Sequence, residues 1–197
     1  MIGPKAAIFD LDGTLYNKRL LPLRLAYSQL LKGKLSYLVA ERRARKSLKG
    51  RYFGDKEVFE DAFFNSFGKK GAREWYYDEY MPDMARVLKA HYEVDMRIAG
   101  ILKDFRSNGA KTAVFSDYGF VRQKLEAIGF DIAWADYLFE APALGGLKPC
   151  REVFMKVCEL MGVSPEECVM YGDRDDTDGA GSALVGMNFV NVSALRS

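Results

Sequence analysis

The fold of this chain of 197 residues is indicated by ten residues near its start, Ala6-Ala7-Ile8-Phe9-Asp10-Leu11-Asp12-Gly13-Thr14-Leu15. Residues 6–9 form a short apolar run, which is typical of a buried strand. The Asp-Gly pair that follows favours a tight turn. The end of this predicted strand therefore carries two carboxylates, Asp10 and Asp12, into a turn.

Two carboxylates this close together at the end of a buried strand need compensation. Because like charges repel where water is partly excluded, the pair is unfavourable unless a cation neutralises it or one member holds a proton. A hard divalent cation such as Mg²⁺ would do the first, since it typically takes one or two carboxylates. A protonated member would be a general acid beside a nucleophile. Taken alone, the motif also fits an ordinary turn.

The same design recurs along the chain. Five apolar runs predict strands, at residues 6–9, 111–116, 137–139, 168–171 and 188–192. Apolar residues at helical spacing predict helices between them, within residues 98–105, 121–128 and 153–161. Strands that alternate with helices predict an α/β fold, a Rossmann-like parallel sheet covered by helices on both faces. In such sheets the ligand lies at the carboxyl ends of the strands.

Residues 17–94 do not follow this alternation. They contain long, mostly helical stretches rich in aromatic and basic side chains. Because the insertion begins directly after the carboxylate turn, we interpret it as an all-helical cap domain above that turn. The predicted core domain then comprises residues 1–16 and 95–197.

Three further segments carry candidate site residues. Ser116 ends the second strand and could offer its hydroxyl group to an anion. Lys148 follows a glycine pair and precedes a proline, and a mobile surface lysine is the plainer interpretation. Residues 171–179 place four carboxylates after an apolar run, at Asp173, Asp175, Asp176 and Asp178. Such a cluster fits a cation site better than a solvated acidic loop.

Taken together, these segments resemble the four ordered motifs of the haloacid dehalogenase superfamily of hydrolases, in its phosphatase-type form with a helical cap. Asp10 precedes Ser116 by 106 residues, Lys148 follows 32 residues later, and Asp173 follows after another 25. The first interval leaves room for the cap. The resemblance covers nearly all of the chain outside residues 17–94.

The resemblance implies a phosphoryl-transfer mechanism. Asp10 would be the nucleophile that becomes an aspartyl phosphate, and Asp12 would protonate the leaving oxygen and later activate water. Ser116 and Lys148 would bind the phosphoryl oxygens. The presence of Asp12 favours phosphoryl transfer, because superfamily members that break carbon–halogen bonds lack this second Asp. Asp117 departs from the family pattern, and we expect it to turn away from the phosphate or to cap the next helix.

The resemblance also implies a Mg²⁺ site. Its ligands would be Asp10, Asp173 and the backbone carbonyl of Asp12. Asp178 would support the site, and Asp176 is the alternative for that role. The expected function is therefore Mg²⁺-dependent hydrolysis of a small phosphorylated metabolite. A phosphomutase of the β-phosphoglucomutase kind and a non-catalytic binding protein are the alternatives.

Composition and charge limit the remaining possibilities. The hydrophobic fraction of 49% and charged fraction of 28% exclude a disordered or collagen-like chain. The net charge of +2 conceals residues 17–54, which have 11 Lys and Arg against one acid, Glu41. A solvated helix face that steers anionic substrates is favoured there over contact with nucleic acid or an anionic membrane. Three cysteines without a C-x-x-C pair, and no secretory segment, predict a reduced, cytoplasmic protein.

Overall fold

The computed structural model of the protein describes residues 3–196 and contains one parallel sheet. Its strands are β1 (Ala6–Phe9), β2 (Lys111–Ser116), β3 (Tyr137–Glu140), β4 (Cys168–Gly172) and β5 (Asn188–Asn191). Their order in the sheet is β3-β2-β1-β4-β5. The five predicted strands are confirmed, since each apolar run forms a strand with bounds within about two residues of the prediction.

Helices cover both faces of this sheet. They are α5 (Met96–Ser107), α6 (Val121–Ala127), α7 (Arg151–Met161) and α8 (Ala180–Val185). Alternate residues of β1 enter opposite layers: Ala7 and Phe9 pack with α5 and α6, whereas Ala6 and Ile8 pack with α7. This alternation follows from the two-residue period of a strand, so a wholly apolar run is needed where both faces are buried. The predicted α/β fold class is confirmed.

The named elements between β1 and α5 are all helices. The segment contains α1 (Leu21–Leu31), α2 (Leu35–Leu48), α3 (Lys56–Asn65) and α4, whose α-helical parts Ala72–Glu74 and Met81–His91 flank a π-helical stretch, Trp75–Tyr80. Aromatic rings form a large part of its interior, with Phe63 in contact with Phe59, Phe64, Phe67 and Tyr76. These rings therefore pack in the hydrophobic interior of the insertion. None of the helices described between residues 3 and 196 is long and apolar enough to span a membrane.

Candidate active site

The strand order brings two acidic turns side by side. β1 has β2 on one side and β4 on the other, so the connections after β1 and β4 leave the sheet in different directions. A crevice opens at such a point at the carboxyl ends of the strands. Asp10 follows β1 and Asp173 follows β4, and both line one cavity of about 350 Å³.

A buried lysine holds the first carboxylate. The Lys148 Nζ lies 2.7 Å from Asp10 Oδ1 and 2.6 Å from Asp178 Oδ1, and it also donates to the Phe115 carbonyl at 3.2 Å. Thr14 donates its hydroxyl proton to the other oxygen of Asp10 at 3.0 Å. Burial alone would lower the pKa of Lys148, but the carboxylates of Asp10 and Asp178 outweigh it and raise that pKa. Lys148 is therefore an ammonium group in contact with two carboxylates, and not a mobile surface lysine.

Three carboxylates converge beside this lysine. Asp10, Asp173 and Asp178 each offer one oxygen, and these oxygens lie within 4.8 Å of one another. Asp173 Oδ1 is buried and has no hydrogen-bond partner among the described residues. Burial raises the pKa of Asp178 to about 7, although Lys148 opposes this shift. Converging carboxylate oxygens with an unsatisfied acceptor fit a hard divalent cation such as Mg²⁺.

Asp12 has partners of its own. Its carboxylate forms an ion pair with Lys124, accepts a hydrogen bond from the Tyr16 hydroxyl group at 2.5 Å, and accepts a longer one from Ser116 at 3.3 Å. Burial raises the pKa of Asp12, but Lys124 and Tyr16 more than offset that effect and leave it below its usual value. The backbone carbonyl of Asp12 has a different partner, because it accepts a hydrogen bond from Lys18 Nζ at 2.9 Å.

The loop after β2 is held by its neighbours. The Ser116 hydroxyl oxygen accepts a hydrogen bond from the Tyr118 N–H at 3.1 Å, and the residue is fully buried. Asp117 lines the cavity and accepts from the backbone N–H of Lys148 at 2.7 Å. Of the two alternatives for Asp117, the one in which it caps the next helix is wrong, because its carboxylate accepts from Lys148. Glu140 takes that place by accepting from the Val121 N–H at 3.1 Å.

The two acids that compete for the supporting role are clearly separated. Asp178 is 1% exposed and lies within the carboxylate cluster. Asp176 is exposed and pairs with Lys49 and Arg174. Both acids belong to one π-helical turn, Asp175–Gly179, in which Asp178 is buried and Asp176 is exposed. Gly172 permits the close approach, because a Cβ atom there would lie 2.6 Å from the Asp178 Cγ.

A sequence pattern of the family described as "haloacid dehalogenase-like hydrolase" matches residues 4–186. The chain belongs to this family of hydrolases. The resemblance noted from the motifs is therefore confirmed, and the match includes the insertion as well as the core.

Individual relatives of this haloacid dehalogenase-like hydrolase are more distant. It is 25% identical to Protein SUPPRESSOR OF QUENCHING 1, chloroplastic, of Arabidopsis thaliana over an alignment of 201 residues, which covers 97% of this chain and 17% of that protein. It is 39% identical to N-acylneuraminate-9-phosphatase of Mus musculus over 70 residues, or 34% of this chain and 26% of the relative. The chain thus spans about a quarter or less of the length of these relatives.

Solved structures share the fold. A HAD phosphatase from Thermococcus onnurineus superimposes with a TM-score of 0.64 at 21% identity, covering 95% of this chain and 85% of that one. L-2-haloacid dehalogenase from Xanthobacter autotrophicus superimposes with a TM-score of 0.60 at 19% identity, covering 95% and 77%. At these identities the likeness concerns the fold alone, which serves both kinds of hydrolase.

Two lysines of this hydrolase were not among the predicted site residues. Lys124 is fully buried on α6 and pairs with Asp12. A signal for it exists in the sequence, because it lies on the helix face formed by Val121, Leu125 and Ile128, where a lysine is unusual unless paired. Lys18 contacts the carbonyl of Asp12 and the carboxylate of Asp173. No local sequence pattern indicates the role of Lys18, because its two partners belong to motifs that are far apart along the chain.

The cavity has two chemically different walls. The core supplies charged groups, whereas the insertion supplies mainly apolar side chains: Leu21, Pro22, Leu25 and Met84, together with Tyr80. Arg42 is the basic residue of the insertion's α2 in this lining. A ligand held between the walls would meet most of its polar partners on the core side, and Lys18 and Arg42 on the side of the insertion.

The basic segment 17–54 is partly neutralised by its own acid, Glu41, and by acids from other parts of the chain. Five of its bases form ion pairs, Lys18 with Asp173, Lys32 with Asp83, Lys34 with Glu79, Arg45 with Glu41 and Lys49 with Asp176. Arg45 also donates to the Asp117 carbonyl at 2.7 Å and so joins α2 to the loop after β2. These contacts reduce the charge available to an external polyanion.

Proposed function

We propose that this hydrolase is a phosphatase that removes a phosphoryl group from a small phosphorylated metabolite, with Asp10 as the nucleophile and Mg²⁺ as the cofactor. One observation carries the proposal: the two carboxylates of the first turn have different partners. Asp10 faces Lys148 and the carboxylate cluster, whereas Asp12 faces Lys124 and Tyr16. Groups in such different environments are suited to different tasks.

In the first step, a carboxylate oxygen of Asp10 attacks phosphorus while the bond from phosphorus to the leaving oxygen breaks. The leaving oxygen takes a proton from Asp12. Lys148 and Ser116 bind phosphoryl oxygens, and the Lys148 ammonium offsets the charge that accumulates in the transition state. The product of this step is an aspartyl phosphate and a free alcohol or phenol.

In the second step, water attacks phosphorus and Asp12 takes up one of its protons. The bond between phosphorus and Asp10 breaks, so that inorganic phosphate leaves and the carboxylate of Asp10 is restored. The lowered pKa of Asp12 favours its carboxylate form, which is the form needed to accept a proton from water. For the first step, in contrast, Asp12 must be protonated. Because its lowered pKa disfavours the protonated form, substrates whose leaving groups need little protonation should react most readily.

The residues that would hold Mg²⁺ are Asp10 and Asp173 through their carboxylates and Asp12 through its backbone carbonyl. Asp178 would support them from beside Lys148. The bound ion would supply positive charge to the phosphoryl oxygens. The unsatisfied Asp173 Oδ1 and the converging oxygens of Asp10 and Asp178 support this assignment.

The cavity supports a compact substrate. Its volume of about 350 Å³ suits a small metabolite, and its apolar wall of Leu21, Leu25 and Met84 would contact the leaving group. The similarity of part of the chain to N-acylneuraminate-9-phosphatase supports phosphate-ester chemistry.

The proposal is tested with p-nitrophenyl phosphate and Mg²⁺ under multiple-turnover conditions. We expect steady release of inorganic phosphate by the wild type, and a loss of about 10³-fold or more in Asp10→Asn, because an amide is a poor nucleophile. The control is Asp104→Asn, which changes an exposed aspartate on α5 and should leave turnover unaffected.

The alternatives give different results. A phosphomutase would release little phosphate over many turnovers, and a non-catalytic protein would release none. Equal activity in Asp10→Asn and the wild type would overturn the assignment of the nucleophile. If the wild type releases phosphate steadily, a panel of phosphorylated sugars, nucleotides and small acids identifies the preferred leaving group.

A further inference from the structure

The ammonium group of Lys18 lies in the part of the cavity where the proposed metal ligands meet. Its Nζ is 2.9 Å from the backbone carbonyl oxygen of Asp12 and 2.6 Å from Asp173 Oδ2. Both oxygens belong to the ligand set proposed above. One positive charge of the protein itself therefore already contacts two of the oxygens that a divalent cation would need.

The turn after β1 is shaped to bring these groups together. Gly13 has a φ of +103°, a conformation that glycine adopts readily and other residues rarely do. A Cβ atom at this position would overlap the Asp173 carboxylate and lie 2.7 Å from Lys18 Nζ. The carbonyl, the carboxylate and the ammonium group thus share a space that only a glycine at position 13 leaves open.

The side chain of Lys18 is free to leave this place. It is 37% exposed, whereas the side chain of Asp173 is 15% exposed. The lysine therefore approaches the ligand oxygens from the solvent side, and rotation about its flexible stem would withdraw the charge without disturbing the turn.

An ammonium group and a magnesium ion cannot use these oxygens at the same time. Mg²⁺ requires its ligand oxygens at about 2.0–2.1 Å in a near-octahedral arrangement. A second cation in hydrogen-bond contact with two of the same oxygens would both block that approach and repel the ion.

We infer that Lys18 competes with Mg²⁺ for the Asp12 carbonyl and the Asp173 carboxylate, and that it is the counter-cation of the metal-free site. This inference rests on the proposed function for the identity of the ion. Lys18 offsets part of the negative charge of the acidic cluster and lowers the affinity for Mg²⁺. Mg²⁺ binding would displace the ammonium group toward solvent.

Lys49 provides a matched comparison within the same protein. It also pairs with an acid of the loop after β4, but its partner is the exposed Asp176 outside the carboxylate cluster. Lys18 and Lys49 thus both come from residues 17–54 and both bind the same loop, and only Lys18 contacts proposed metal ligands.

The test is a calorimetric titration of the intact protein with Mg²⁺ alone, without substrate. We expect Lys18→Met to bind Mg²⁺ about tenfold more tightly than the wild type, because a charge-assisted contact no longer competes with the ion. Lys18→Arg should stay near the wild type, since it retains the charge, and Lys49→Met should also be unchanged. A merely structural defect would weaken binding, so a gain in affinity cannot arise from damage to the fold.

A second measurement follows Lys18 directly. Brief treatment with an amine-acetylating reagent, followed by peptide mass spectrometry, reports how accessible each lysine is. We expect Mg²⁺ to increase acetylation of Lys18 and to leave that of Lys49 unchanged, because only Lys18 loses its carboxylate partner to the ion.

The outcomes separate this inference from the function on which it rests. Equal or weaker Mg²⁺ binding by Lys18→Met, while the wild type binds the ion, would overturn the competition and leave the phosphatase proposal standing. Failure of both proteins to bind Mg²⁺ would contradict the metal site itself and the inference with it. Acetylation of Lys18 that is insensitive to Mg²⁺ would likewise contradict displacement.

Discussion

Two buried lysines divide the candidate active site into two halves. Lys148 follows the 3₁₀ turn Ala141–Leu144 and contacts Asp10 and Asp178, whereas Lys124 comes from α6 and contacts Asp12. The first half is a cluster of three carboxylates, Asp10, Asp173 and Asp178, in contact with the ammonium groups of Lys148 and Lys18, which leaves a surplus of one negative charge. The second is a closed pair, supplemented by the Tyr16 hydroxyl group. A surplus of negative charge suits a site that receives a cation and a phosphoryl group, and a closed pair suits a group that is held in position.

Of the two buried lysines, Lys148 of the first half should show the larger effect when its ammonium group is removed. We expect Lys148→Met to lower kcat/KM for p-nitrophenyl phosphate by about 10²–10³-fold, because a buried positive charge next to the reacting phosphoryl group is lost. The measurement is steady-state kinetics, with circular dichroism as a check of folding. Lys103→Met, a half-buried lysine over the ring of Trp134, is the control and should change kcat/KM little. Comparable activity of Lys148→Met and the control would contradict the division of the site.

A second comparison concerns the two acids of the loop after β4. Asp178→Asn should lower kcat/KM by about 10–100-fold, since it weakens both the carboxylate cluster and the contact with Lys148. Asp176→Asn should change it by about twofold at most, because an exposed ion pair contributes little. Both are measured at saturating Mg²⁺, and a larger effect of Asp176→Asn would reverse the assignment of the supporting residue.

A smaller kinetic effect than that of Lys148→Met is expected in the second half, where the change is visible in stability as well. Lys124→Met should reduce kcat/KM by about tenfold, because Asp12 loses the partner that orients it. It should also lower the free energy of unfolding by about 3 kcal/mol at pH 7, since a largely buried carboxylate is left without its ammonium partner.

The stability difference should depend on pH in a defined direction. The folded-state pKa of Asp12 lies below its usual value, so the stabilisation by Lys124 is present above the unfolded-state pKa of about 3.9. It is lost as the pH falls through the lower folded-state pKa. Urea unfolding of the wild type and of Lys124→Met at pH 7 and near pH 3 should therefore give a smaller difference at the lower pH. An unchanged difference would mean that Lys124 stabilises the fold by packing alone.

Much of the core could be predicted from the sequence because its signals are local. Residues 6–9 and 168–171 are apolar without interruption, which follows from burial on both faces of a parallel sheet. Each run is followed at once by its acidic turn, so the sequence order alone places Asp10 and Asp173 at one edge. The helical prediction for residues 17–94 rests on local signals too, namely long, mostly helical stretches rich in aromatic and basic side chains.

The contacts between distant segments could not be predicted in this way. Lys18 reaches Asp173 across 155 positions of the chain, and the geometry depends on the strand order and on the turn at Gly13. The choice between Asp176 and Asp178 also depends on distant residues, because Asp176 pairs with Lys49 and Asp178 with Lys148. Lys124 is the intermediate case, because its place on an apolar helix face was readable but its partner was not.

The central claim is that Asp10 forms a covalent bond to the phosphoryl group and that Asp12 is needed to resolve it. The most direct measurement is acid quenching of Asp12→Asn during reaction with p-nitrophenyl phosphate and Mg²⁺, followed by peptide mass spectrometry. The phenol-type leaving group departs without a strong acid, but water is not activated, so the intermediate should accumulate. We predict one added phosphoryl group on the peptide that contains Asp10. Turnover of the substrate without any phosphorylated peptide, or a phosphoryl group on another residue, would contradict this account.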